Sequence, residues 1–508
     1  MTLHTTVQPS LISEIVPMWA ASAPDRVALA DGGRTWTYAE LDGAVRDTAA
    51  WLAKSDVRPG DRVMLVCENC VAAVALYLAC TAIGAWPVIV NAKLSDREVD
   101  EIHAHSAARR MIFTTGISPK ARVHAARIGS TNAEPSTFGA IALSALNESA
   151  IPELTDATPD QNIAALIYTT GTTGKPKGVM LTHRNLMFVA QASAKARALT
   201  GDDRVYAVLP VSHILGLTGV LLGALVSGAS VHLTSRFDPA AALKAMENDR
   251  LSVMIGTPSM YALLCEYAAR TKRQIAKPAL RLISSAGAPL DAATKANTER
   301  TFGQTLHNGY GITECSPTIT LTSLDAPRSD CAIGRVLPGI ETRLVDSDGK
   351  DVAAGETGEL WIRSPGVMKG YYKAPEETAQ ALTTDGWFKS GDLARFDDGN
   401  LFIVGRAKDL IIRFGFNVYP AEVEGVLNGF AGVARSAVIG VKSGDSEDVI
   451  AFVQPSPGSN LTEAALADYA AANLVPYKRP SKITLLEALP MSPAGKILKH
   501  ELAAFAAA

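Results

Sequence analysis

The sequence predicts an α/β fold: a large N-terminal domain of α/β layers with a β region, followed by a small C-terminal α+β domain. Three observations predict it. Apolar strand-like and helix-like runs alternate through 27–260, the pattern of a layered sheet. Short alternating strands separated by turns such as DSDGKD and DDGN fill 340–405, which reads as an antiparallel region. After GRAKDLIIRFG the elements become short and mix strand with helix.

The elements follow in order. Residues 27–48, VALADGGRTWTYAELDGAVRDT, read as strand, turn, strand and helix. Gly32-Gly33 between two short β-rich runs predicts a hairpin. Thr37 followed by Glu40 predicts a capping box on the next helix. DRVMLVCEN then predicts a strand, CVAAVALYLACTAIG a helix, and AWPVIVNA another strand. That order requires a parallel crossover. The same pattern is expected at 163–200 and at 205–260. Further on, a helix near Pro420–Asn428, the strands SAVIGVK and VIAFVQP, and the helix TEAALADYAAANL form the small unit. The domains are therefore placed at 1–407 and 408–508.

Composition narrows the function. The chain has 508 residues, 47% of them hydrophobic, enough for a large core and against wholesale disorder. With 48 basic and 51 acidic residues the net charge is −3, which gives no footprint for nucleic acid or an anionic membrane. The stretches 63–92 and 205–231 hold one acid and no charged residue respectively, and are long enough to span a bilayer. Pro210, Ser212, His213 and several glycines interrupt the second. A strand, a polar turn and a buried helix fit it better, and no transmembrane segment is expected. Six cysteines are too few for a disulfide scaffold. Cys67 and Cys70 have the spacing of a zinc or redox half-site, but no second pair follows, and core packing is expected. The N-terminus lacks a basic start followed by an apolar stretch, so the cytoplasm is the expected location.

The strongest local feature is Tyr168-Thr169-Thr170-Gly171-Thr172-Thr173-Gly174-Lys175-Pro176-Lys177-Gly178, between the apolar runs IAALIY and VML. Thr182 then stands where it would cap a helix. The glycines let the backbone turn and present N–H groups to an anion. The threonines add hydroxyl donors, and Lys175 and Lys177 add charge suited to polyphosphate. The loop is not a Walker A motif, because Pro176 follows Gly174-Lys175 and position 169 is Thr. A Gly/Thr-rich loop of this composition is by itself as compatible with a solvated turn. The full string, however, resembles the signature of the acyl-adenylate-forming superfamily of acyl-CoA synthetases and AMP-dependent ligases. SSAGAPL at 284–290, NGYGITE at 308–314, GETGEL at 355–360, GWFKSGD at 386–392, GRAKDLI at 405–411 and PAGK at 493–496 follow in the superfamily's order. The resemblance covers nearly the whole chain.

The resemblance implies roles residue by residue, with ATP, Mg²⁺ and coenzyme A as cofactors. Thr170, Gly171, Thr172, Thr173, Gly174, Lys175 and Lys177 would cradle phosphates. Tyr310, between Gly309 and Gly311, would pack on adenine, and Asn308 would meet its amino group. Ala286, Gly287 and Ala288 would line the adenine and acyl sites. Thr313 would contact the α-phosphate. Glu314 would hold Mg²⁺, and one carboxylate is enough for an ion that keeps its waters. Asp392 would accept from the ribose hydroxyls, and Arg406 would contact the ribose and phosphate region. Lys496 would bridge the attacking carboxylate and the α-phosphate, positioning the attack and stabilising its charge. A solvated tail lysine, such as the nearby Lys499, looks alike in isolation. Thr313, Glu314 and Lys496 are thus the expected catalytic residues. The small domain is implied to be mobile, turning about Lys408 to bring the Gly415 segment to the thiol channel. One departure stands out: Phe414 occupies a position where relatives often carry Gly, Ser or Lys, so it either narrows that channel or packs beside it.

The acid is read from the helix ILGLTGVLLGALVSGA after His213, apolar throughout. The pocket is expected to include His213, Leu217, Gly309 and Ile312, with Gly216, Gly219, Gly223 and Ala286 leaving room. No Asp follows Leu209-Pro210 to pair an α-ammonium, and no extra cation is evident for a dicarboxylate. The expectation is a small-molecule apolar monocarboxylic acid, medium- to long-chain fatty acid first, with an aryl acid of benzoate or 4-coumarate type as the alternative. The implied product is the CoA thioester. Loading of a carrier protein is disfavoured, since no insertion or carrier domain is seen. Luciferase-like oxidation shares the same motifs, and a homodimer is compatible with them.

Overall fold

The computed structural model describes residues 9–133, 138–170, 176–414, 416–444, 446–491 and 497–506. The fold is the expected mixed α/β arrangement, with a large N-terminal and a small C-terminal domain. Two large sheets build the first. One runs in the order Gly370–Tyr371, Pro176–Thr182, Ile163–Thr170, Trp86–Asn91, Arg62–Cys67, Arg110–Phe113, Ile141–Leu143, Thr131–Ala133. Its centre is parallel, and Arg62–Cys67 is buried at every position, as strands covered on both faces require.

The other sheet runs Arg335–Val336, Thr318–Leu321, Leu306–Gly311, Leu282–Ser285, Val253–Gly256, Arg204–Ala207, Ser230–Leu233, Val27–Asp31, Arg34–Thr37. Its last pair is the predicted hairpin, with Gly32 and Gly33 at φ +56° and +87°. Both angles lie in the left-handed region that glycine adopts freely. Thr37 caps the following helix reciprocally with Glu40. The helix Val71–Ala82 is buried from Val71 to Thr81 and belongs to the core the two sheets share. Cys67 and Cys70 are buried in that core as free thiols.

One segment differs from its sequence reading. Residues 163–200 hold no strand–helix–strand crossover. Ile163–Thr170 and Pro176–Thr182 pair antiparallel, and the helix His183–Ala196 comes after both. A five-residue connection is too short for a parallel crossover, so the strands fold back on each other.

The apolar stretch 205–231 is buried, as expected: the strand Arg204–Ala207, a π-helix Leu215–Leu222, a short helix Gly223–Val226 and the strand Ser230–Leu233. Among the described residues no helix is long and apolar enough to cross a membrane. The predicted β region is a four-stranded antiparallel sheet, Glu341–Val345, Gly358–Arg363, Phe388–Asp397, Asn400–Arg406. The small domain holds the hairpin Ile411–Arg413 with Phe416–Val418 and a sheet of Val433–Ser443, Ser446–Pro455 and Lys482–Leu485. The helices Pro420–Asn428 and Glu463–Asn473 contribute to a separate core there.

Candidate active site

The antiparallel hairpin 163–182 carries the loop expected to hold phosphate. Thr170 pairs with Pro176, Thr169 with Lys177 and Tyr168 with Gly178, so the strands bring both ends of the loop together. Gly171, Thr172, Thr173, Gly174 and Lys175 lie outside the described residues. Thr182 caps the next helix as expected, accepting from the Asn185 N–H. Beneath the hairpin, the Tyr168 hydroxyl meets His105 Nδ1 at 2.7 Å.

The strand Leu306–Gly311 carries Asn308, Gly309 and Tyr310, and the chain turns at once into the 3₁₀ turn Thr313–Cys315. Gly311 is required there, because a Cβ would lie 2.1 Å from the Pro317 carbonyl oxygen. The Tyr310 hydroxyl donates to the Asp392 carboxylate. Burial and that neighbouring carboxylate push the Tyr310 hydroxyl pKa far up. Asp392 is buried, and Arg406 Nε stands 3.1 Å from its other oxygen. This pair follows from register, since Asp392 and Arg406 are direct partners on adjacent antiparallel strands. The structure therefore unites Tyr310, Asp392 and Arg406, three residues that the sequence singled out separately. The Asn308 amide is taken up by the protein: Nδ2 donates to the carbonyls of Cys331 and Ala332 at 3.2 Å each, and Oδ1 accepts from Gly309.

Glu314 has a partner that sequence reading missed. The Tyr371 hydroxyl donates to its carboxylate at 2.9 Å. The Lys177 ammonium lies 5.2 Å from the Tyr371 ring centre. Tyr371 thus links the end of the phosphate loop to the carboxylate expected to hold Mg²⁺. No local pattern marks it, because the two residues are 57 positions apart. Among the described residues no group of three or more His, Cys, Asp or Glu could hold a metal by itself. A single carboxylate with substrate phosphates as the other ligands suits Mg²⁺. Bound at Glu314, the ion would neutralise phosphate charge.

On the expected acyl side, His213 lies two residues before the π-helix. Its N–H donates to Pro210, its Nδ1 accepts from the Leu215 N–H at 3.3 Å, and its carbonyl accepts from Leu217. Leu217 is fully buried, Ile312 half-buried. Gly216 does not leave room for substrate, contrary to expectation: a Cβ there would meet the Pro210 carbonyl oxygen at 2.1 Å. It is a close approach of two backbones. Gly219 and Gly287 instead face the Leu215 side chain.

Lys408 is exposed in the 3₁₀ turn Ala407–Asp409, directly after Arg406. Phe414 is 69% exposed at φ +52°. The Arg413 guanidinium lies 5.4 Å from its ring. Gly415 and Lys496 lie outside the described residues. Met491 and Ile497, on either side of the Lys496 segment, pair in an antiparallel bridge.

Residues 16–372 match the model of the AMP-binding enzyme family, and 422–496 match the AMP-binding enzyme C-terminal domain. The chain belongs to the AMP-binding enzyme family. It is 36% identical to feruloyl-CoA synthase of Amycolatopsis sp over 497 residues, covering 95% of this chain and 96% of that one. It is 33% identical to 4-coumarate–CoA ligase 2 of Oryza sativa subsp. japonica, covering 96% and 91%. Among solved structures, ATP-bound MatB of Rhodopseudomonas palustris superposes with a TM-score of 0.84 at 30% identity, covering 96% and 98%. As a member of this family the chain is an AMP-forming acyl-CoA ligase that uses ATP, Mg²⁺ and coenzyme A.

Proposed function

We propose that the enzyme activates a ring-bearing monocarboxylic acid of the aryl-propenoate type and releases it as the CoA thioester. The observation that carries this reading is the slot between the π-helix and the segment after Leu282–Ser285. Two glycines, Gly219 and Gly287, face each other across one leucine side chain. The Leu215 side chain stands between them, and the π-helix wall is buried and uncharged. A thin apolar slot suits a flat ring. The two curated relatives named above are called after hydroxylated aryl-propenoic acids, which supports the same class. A medium- or long-chain fatty acid is the second reading, favoured only by the apolar wall.

In the adenylation step, the residues at the phosphate loop and Lys177 hold the triphosphate. Asp392 and Arg406 seat the ribose. Lys496 draws the acid's carboxylate onto the α-phosphate and steadies the charge that develops. Pyrophosphate leaves, and the CoA thiol then displaces AMP. Lys408 serves as the hinge between 1–407 and 408–508. All six cysteines are free, which suits the reducing cytoplasm.

The test is a panel of cinnamates, benzoates, octanoate, palmitate, malonate and amino acids with ATP, Mg²⁺ and CoA, following AMP, pyrophosphate and thioester together. A hydroxycinnamate should exceed octanoate by about 100-fold or more in kcat/KM, the scale of several unfavourable pocket contacts. Faster turnover of octanoate or palmitate would reverse the ranking. Pyrophosphate release without thioester would move the acceptor from CoA to a carrier protein.

A further inference from the structure

The slot beside the π-helix has a polar wall that adenylation does not use. Thr318 opens the strand Thr318–Leu321 and is 4% exposed, and its Oγ1 has no hydrogen-bond partner among the described residues. A buried hydroxyl without a partner keeps a desolvation cost that only a partner recovers.

The geometry around this hydroxyl is specific. The Cβ position that Gly219 lacks is bracketed by two atoms, Leu215 Cδ1 at 2.8 Å and Thr318 Oγ1 at 3.9 Å. The other Leu215 methyl, Cδ2, lies 3.8 Å from the Cβ position that Gly287 lacks, and Thr257 Cγ2 lies 3.9 Å from that same point. One isobutyl group therefore stands between the two glycines, on the side of the π-helix where the Thr318 hydroxyl also lies. Leucine has other staggered rotamers, and a swing of this side chain would clear the space between the two glycines. Gly219 comes six residues after His213, more than one helical turn along the wall. Thr318 is also the register partner of Gly311 on the neighbouring strand, so its hydroxyl stands between the π-helix wall and the Tyr310–Ile312 segment.

We propose that Thr318 reads an oxygen substituent on the acid's ring, and that Leu215 is the stopper the ring displaces to reach it. This rests on the ring-bearing reading above. A threonine hydroxyl both donates and accepts, so a phenolic hydroxyl or a ring ketone would pair with it. A methyl group of similar size would leave it buried and unpaired, and a site built around a hydrogen bond rejects such an analogue.

The experiment measures kcat/KM of the full-length enzyme for 4-hydroxycinnamate, 4-methylcinnamate and decanoate, in the wild type, Thr318→Val and Thr318→Ser. The wild type should prefer the hydroxy acid over the methyl acid by about tenfold or more. Thr318→Val should lower that ratio about tenfold, mainly through the KM of the hydroxy acid, and Thr318→Ser should keep it. A wild-type ratio near one overturns the proposal whatever the variants do. So does an unchanged ratio in a Thr318→Val protein with a wild-type melting temperature. Turnover of decanoate with neither cinnamate used would remove the ring reading itself, and this inference with it. Turnover of cinnamates with an unmoved ratio removes Thr318 alone.

Discussion

At Gly311 the backbone admits only a hydrogen, because the Pro317 carbonyl oxygen occupies the Cβ direction. Gly311→Ala is expected to destabilise the protein by roughly 3 kcal/mol, the upper range of overpacking, and to displace Tyr310 and Ile312 on either side, with Thr313 beyond. A melting curve beside a pyrophosphate-release assay reads both effects. Tyr371 donates to Glu314, the residue expected to hold Mg²⁺. Tyr371→Phe removes a hydrogen bond to a carboxylate, worth about 1.5–3 kcal/mol for a charged group. The Mg²⁺ concentration for half-maximal adenylation should rise about tenfold, and an unshifted Mg²⁺ titration would show that Glu314 does not depend on it. Lys496→Ala should lower thioester formation from free acid by at least ~100-fold, as loss of a transition-state charge partner does. It should still convert supplied acyl-adenylate and CoA. Equal loss of both half-reactions in a folded variant would remove Lys496 from the first step.

The helix His183–Ala196 shows how an element ties the site to the rest of the fold. Its first residue, His183, is buried, and its Nδ1 accepts the Ile12 N–H at 3.2 Å. Burial drives the pKa of His183 down to about 4. Its folded pKa lies below the unfolded value near 6.5, so the neutral ring stabilises the fold fully above pH 6.5. That contribution is lost as pH falls from 6.5 towards 4, about 3 kcal/mol in all. In His183→Asn the amide oxygen can take the place of Nδ1 without titrating in this range. The variant's melting temperature should therefore fall less between pH 7 and pH 5 than the wild type's. The π-helix is the second element that matters. Its fully buried, uncharged wall and the backbone contact at Gly216 set it against the slot, where a π-turn is a recurrent feature of functional sites.

At the scale of the molecule, the parts of the site come from different structures. The phosphate hairpin belongs to one large sheet, Tyr310 and Glu314 follow from the other, and Asp392 and Arg406 lie on the antiparallel sheet. The small domain follows Arg406 directly and has its own core. Such a unit can turn as a body about a short terminal segment. Lys408→Pro, which restricts the backbone at that segment, should slow thioester formation from supplied acyl-adenylate far more than pyrophosphate release. Equal rates for both would place the hinge elsewhere.

The sequence by itself determined the order of motifs and therefore the chemistry. It also set the local signals: the Gly32-Gly33 turn, the Thr37 and Thr182 caps, and the antiparallel stretch before the small domain. These depend on residues near each other in the chain, where turn and capping preferences act. Segment 163–200 was read incorrectly because apolar periodicity does not tell a hairpin from a crossover; the length of the connection does. The Tyr371–Glu314 contact, the Asp392–Arg406 pairing and the Leu215 bracket were decided only by the tertiary structure. Each joins residues on different elements, and which side chains meet depends on strand register and on how closely two backbones approach. Gly216 and Gly219 look alike in sequence, yet one meets a carbonyl and the other a leucine methyl. Packing separates their roles, since only the three-dimensional neighbour of each missing Cβ differs.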